Sequence, residues 1–112
     1  MHQFLLLPHF KKQLKHYAKK HRDILQDLLA TLHSFDEERA VSLGHQLYKV
    51  RMGSGGSNRG KSGGFRMIIF FRKKDVLIPI TLFAKNERAD MEKREINDHY
   101  AQILRELQEY EQ

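Results

Sequence analysis

The stretch Gly53-Ser-Gly-Gly-Ser-Asn-Arg-Gly-Lys-Ser-Gly-Gly-Phe-Arg-Met-Ile-Ile-Phe-Phe71 decides how this chain folds. It holds six of the seven glycines and the cations Arg59, Lys61 and Arg66, with no acid among them. Taken as a string, Gly55 to Ser62 fits the phosphate-loop pattern G-x-x-x-x-G-K-[ST]. That pattern works only where its lysine and hydroxyl residue open a helix whose N-terminal amides face the phosphates. Here two glycines follow Ser62, and then an apolar run rich in β-branched and aromatic residues, which favours a strand. The stretch is therefore read as a basic loop entering a strand that presents Arg66 to a phosphate backbone.

Working outward, the periodicity predicts the remaining elements. Residues 2–6 read as a short strand, and Pro8 suits the first turn of a helix bearing Phe10, Leu14, Tyr17 and Ala18 on one face. After a break near His21 and Arg22, Ile24, Leu25, Leu28, Leu29 and Leu32 form the stripe of a second helix. Asp36 to Ala40 reads as a polar connection ending at Gly44. From His45 the period changes to two, with Tyr48, Val50 and Met52 alternating with Lys49 and Arg51. Phe65–Phe71, a polar turn through Asp75, and Val76–Ala84 complete an antiparallel meander, with Pro79 implying an edge or a bulge. Ile96, Tyr100, Ile103, Leu104 and Leu107 mark a C-terminal amphipathic helix. The expected order is β-α-α-β-β-β-α, an α+β domain over residues 1–112 with helices packed on one face of an antiparallel sheet.

Composition narrows the chemistry. A chain of 112 residues is expected to form one domain. It has no cysteine, and its seven histidines show no H-x-x-x-H pair backed by a carboxylate, so neither a thiolate nor a zinc site is expected. No apolar run is long enough for a bilayer, and Phe4 to Leu7 is too short for a signal-peptide core, so a cytoplasmic protein without membrane contact is expected. The net charge of +6 is uneven: residues 87–112 carry eight acids and four bases, leaving the body strongly basic. Such a body points to a polyanion, most simply nucleic acid.

A sheet face bearing Lys49 and Arg51, with Arg66 and Lys85 at strand ends, reads as a concave cationic surface without a carboxylate. Paired-carboxylate hydrolysis needs two acids and is excluded on that reading. Guanidinium groups grip nonbridging phosphate oxygens bidentately, and lysines can exchange protons. RNA carries its own nucleophile, the 2′-hydroxyl, so a cationic site needs no metal or other cofactor to cleave it. Arg59 and Lys61 are better placed to grip RNA than to perform chemistry. His45 and His99 read as structural rather than acid–base groups, and Tyr100 as core.

The string Tyr48-Lys-Val-Arg51, the loop Gly60-Lys-Ser-Gly-Gly-Phe-Arg66 leading into Ile68-Ile-Phe-Phe71, and the block Phe83-Ala-Lys-Asn-Glu-Arg-Ala-Asp90 together resemble the RelE/HigB superfamily of type II toxins, closest to its HigB-like branch. The resemblance covers residues 44–91 by motif and the whole chain by order of elements. It implies a RelE-like microdomain and a ribosome-dependent messenger-RNA endonuclease that inhibits translation. Its implied partners are a cognate antitoxin, the ribosome and messenger RNA, with operator DNA bound only as the toxin–antitoxin complex. By position it implies that Lys49, Arg51, Arg66 and Lys85 are catalytic, and that Arg59, Lys61 and Asn86 bind RNA. Asn86 stands where some members have arginine, and Glu92 near where some have a catalytic tyrosine.

Two other readings use the same features. One is a non-enzymatic toxin resembling the ParE branch, which binds DNA gyrase. The other is a basic nucleic-acid-binding regulatory module. The cation-rich loop and sheet favour the nuclease, since a protein-binding toxin has no need of them.

Overall fold

The computed structural model describes residues 3–52, 64–72 and 75–112. The glycine loop, with Arg59 and Lys61, lies outside the described residues, as do Lys73 and Lys74 of the predicted turn. In chain order the elements are β1 (Gln3–Phe4), α1 (Pro8–Ala18), α2 (Ile24–His33), β2 (Val41–Gly44), β3 (Leu47–Arg51), β4 (Phe65–Arg72), β5 (Val76–Ala84) and α3 (Lys93–Tyr110). They form an α+β fold whose single sheet runs β1-β5-β4-β3-β2. All neighbours are antiparallel except β1, which joins β5 in parallel with Gln3 against Val76.

β2 was not expected. The segment after Asp36 reads as a connection in sequence, yet Val41 pairs with Lys49 and Ser42 with Tyr48. Gly44 faces Leu47, so only His45 and Gln46 turn the chain, with φ of 54° and 66° after 86° at Gly44. Two positive values at the turn centre are the type I′ geometry that matches strand twist. Neither residue is the glycine or asparagine that usually advertises this turn, which is why the hairpin is hard to see in sequence.

The sheet is covered on both sides, which amends the single helical face expected from the sequence. Phe70 and Phe71 are consecutive and so leave opposite faces of β4. The Phe70 ring meets Tyr100 of α3 edge-on at 5.2 Å, whereas Phe71 meets Phe35, just after α2, at 5.4 Å. Accordingly Met67, Ile68 and Ile69 are all fully buried, whichever face they take. A strand buried on both faces reads as a continuous apolar run rather than an alternating one. Pro79 sits where the β4–β5 register shifts, the bulge its missing N–H requires.

The helices dock through narrower stripes than the sequence pattern gives. α1 buries Phe10 and Leu14, and α2 buries Ile24, Leu28 and Leu32 with Asp27 and Thr31, while Leu25 and Leu29 face outward. α3 buries Ile96, Ile103 and Leu107 and leaves Leu104 largely exposed. Polar clamps fix the helices. Gln13 of α1 donates to the Ile80 carbonyl at 3.3 Å and accepts from the buried Thr81 hydroxyl at 2.6 Å. Arg72 at the end of β4 holds Glu111 beyond α3 at 2.6 Å. His9 Nε2 and His99 Nδ1 lie 2.8 Å apart, one ring donating to the other between α1 and α3.

Candidate functional site

The cationic residues are brought together by strand register. Arg51 and Arg66 are direct partners across β3 and β4, so both side chains leave the same face. Lys49 lies two residues back on that face, opposite Ile68. On the other side of β4, Arg66 is opposite Phe83, and the Lys85 amide donates to the Gly64 carbonyl. Lys85 thus stands at the mouth of the same sheet end, exposed, in the turn that follows β5. Asn86 is exposed in that turn as well. Four predicted catalytic residues therefore cluster at one end of the central strands. Arg59 and Lys61 belong to the segment between β3 and β4, whose ends flank the Arg51–Arg66 pair, but they lie outside the described residues.

Arg66 is half-buried and donates to the carbonyl of Phe65 at 3.3 Å, which curls its guanidinium back along its own strand. Arg51 is exposed. Two guanidinium groups directly opposite each other across a ladder repel, and an anion lying between them relieves that repulsion.

The expectation of a surface without a carboxylate is corrected here. Lys49 Nζ contacts both oxygens of Asp90, at 3.3 and 3.2 Å. Asp90 also accepts the Met91 amide at 2.8 Å, and the two interactions, the amide first, hold its carboxyl below the usual carboxylate range. Arg88 secures the neighbouring turn through Glu95, at 3.0 and 2.6 Å, and its hydrogen bond lowers the Glu95 carboxyl likewise. Asp90 is the last residue of the block that carries the family resemblance, but nothing in the sequence tells that it reaches Lys49. The two become neighbours only when α3 folds back over the sheet.

A cleft of about 240 Å3 adjoins this pair between the β2–β3 hairpin and the start of α3, lined by Leu47, Lys49, Asp90, Met91, Ile96 and Asn97 among others. A second, of about 370 Å3, opens past the end of β2 and shares Lys49, Arg51 and Arg66 with the cluster. His99 stands away from the cations, against His9, and burial pushes both imidazoles below their ordinary value. The structural reading of His99 is thus the one its surroundings support. Among the described residues no group of three or more histidines and carboxylates is placed to hold a metal ion. Among them, too, no helix is long and apolar enough to cross a membrane.

No curated protein matches the chain. The family model described as the RelE toxin of the RelE / RelB toxin-antitoxin system matches residues 9–112, nearly the whole chain, including every strand of the cationic cluster. By that match the chain belongs to the RelE toxin family, the toxin half of a toxin–antitoxin pair, with a cognate antitoxin as its partner.

Proposed function

We propose that the protein is a ribosome-dependent messenger-RNA endonuclease, of the HigB-like branch, whose cationic sheet end binds and cleaves the strand without a metal. The observation that carries this is the in-register pairing of Arg51 with Arg66, with Lys49 on the same face and Lys85 at its edge. Such a cluster fits one phosphodiester. The 2′-hydroxyl attacks the adjacent phosphorus and loses its proton to solvent, the two arginines take the charge that builds on the nonbridging oxygens, and the 5′-oxygen leaves with a proton from a lysine that solvent then reprotonates. The products are a 2′,3′-cyclic phosphate and a free 5′-hydroxyl. Preorganised donors aimed at developing charge are the largest single contribution open to a site of this kind. Lys85, exposed at the rim, would meet the leaving oxygen, and Asn86 in the same turn would grip the flanking strand, a role the sequence also assigns to Arg59 and Lys61.

Lys49 is held by Asp90, so its part is to place charge rather than to abstract a proton. The described cations offer no strong general base, and the ribosome would supply the in-line geometry. Positioning of reactants can lower a barrier by about 7–11 kcal/mol in favourable cases. The test is 5′-end mapping of a messenger RNA incubated with the protein, with and without translating ribosomes. Cleavage inside the reading frame only when ribosomes are present is expected. Vigorous cleavage of naked RNA would overturn the dependence, and an intact message in both arms the nuclease itself.

A further inference from the structure

We propose that the cleft between the β2–β3 hairpin and α3 receives a nucleobase of the RNA strand whose phosphate lies on Arg51 and Arg66, and that it favours guanine over uracil. This deepens the nuclease reading and rests on it for the identity of the strand. The position comes first. Lys49 both lines the cleft and shares the face of Arg51, two residues away along β3, a separation of about 7 Å. A phosphate on the arginines thus puts the neighbouring base at the opening of the cleft.

Size and lining agree. A volume of about 240 Å3 is below that of pockets for drug-sized ligands, about 300–1,000 Å3, and suits one flat ring system. Leu47, Met91 and Ile96 are buried apolar walls for its faces, and a thioether is a favourable neighbour for an aromatic ring. The polar edge is set by Asp90, Lys93 and Asn97. The Asp90 carboxylate accepts from Met91 and Lys49 and keeps lone pairs for further donors. Guanine offers two donors on one edge, N1–H and the N2 amino group, while its O6 and N7 suit a lysine or an amide donor. Uracil offers one N–H flanked by two carbonyl oxygens, which a carboxylate repels. Carboxylates that only accept therefore select for the base with the donor-rich edge.

The test is a titration of the intact protein with guanosine and uridine monophosphates, each as its 3′ and 5′ isomer, and with inorganic phosphate. It is followed by NMR at the Asn97 side-chain amide and at the methyls of Leu47 and Ile96. At least one guanosine isomer is expected to move these signals with an affinity at least about fivefold above that of its uridine counterpart, the lower end of one good base contact. Phosphate alone is expected to move only signals near Arg51 and Arg66. Asn97→Leu and Lys93→Gln, both at exposed positions of α3, are expected to shrink the guanine advantage and leave phosphate binding unchanged. Equal shifts for guanosine and uridine, or shifts identical to those from phosphate, would overturn the proposal. The measurement involves no cleavage and no ribosome, so it stands or fails separately from end mapping of a translated message.

Discussion

Arg51 opposite Arg66 is a placement that a stable sheet avoids, because like charges directly across a ladder weaken it. Removing one of them therefore has opposite effects on folding and on activity. Arg66→Ala is expected to leave the thermal midpoint unchanged or slightly raised, while cleavage of a translated message falls by the loss of one preorganised donor, about 2–4 kcal/mol of barrier. Arg66→Lys should recover only part of this, since the bidentate fork is gone. A folded Arg66→Ala protein with full cleavage would remove the residue from the mechanism. The His9–His99 pair makes a second, independent prediction. Both imidazoles are held below the ordinary histidine value of 6.5, chiefly by burial and, for His99, by the His9 beside it. Glu106 opposes the shift at His9, and Glu95 and Asp98 oppose it at His99, while Lys12, Arg105 and Arg88 add to it. A lowered value means that the unfolded chain binds protons which the folded one refuses. Stability is thus fully present above about 6.5 and drains away as the pH falls below it. Thermal melts between pH 7.5 and 5 should show this fall, and His99→Leu should flatten it; an unchanged slope would mean that the pair titrates as it does in the unfolded chain. At this scale the cations were legible from sequence because no acid lies among them. Asp90 was not, because its meeting with Lys49 is a product of tertiary folding.

The elements differ in how openly the sequence announces them. α1, α3, β4 and β5 follow from period and composition, and Pro79 marks its bulge, since each of those signals is local. β2 escapes because four residues are too few to show a period and because His45 and Gln46 adopt positive φ without the usual glycine. His45→Val should therefore weaken the hairpin by about 1–2 kcal/mol, as a β-branched residue resists the left-handed region, whereas His45→Gly should cost little there. Denaturant melts of the two variants would measure the difference. α3 carries a sharper contrast. Ile103 is fully buried, and Ile103→Asp is expected to cost more than about 4 kcal/mol by placing an unpaired charge in the core, enough to unfold much of the protein. Glu109 is exposed near the helix end, and Glu109→Lys should change stability by less than about 0.5 kcal/mol. Equal losses for the two would mean that α3 is held by its charges and not by its apolar stripe.

Across the whole molecule, the acids gathered in residues 87–112 turn back onto the basic body at a few points, Asp90 on Lys49 and Glu111 on Arg72. Those surface pairs are worth about 0–1 kcal/mol each, so they orient α3 while its buried face holds it. An antitoxin that silences so basic a surface is expected to cover the cations directly. Hydrogen exchange of the purified toxin–antitoxin complex should then show protection at β3, at the start of β4 and at the turn after β5. Unchanged exchange in all three would mean neutralisation by keeping the toxin off the ribosome. The topology also governs when the fold can be completed. β1 is made first, yet it pairs in parallel with β5, and Asp90 reaches Lys49 only through the segment that leads into α3. Contacts of such long range form late. Until the C-terminal third has been made, β4 lacks its neighbour β5 and Lys49 lacks the Asp90 carboxylate that holds it, so the cationic sheet end is unfinished. At about 5–20 residues per second, the chain spends its last few seconds of synthesis in that unfinished state.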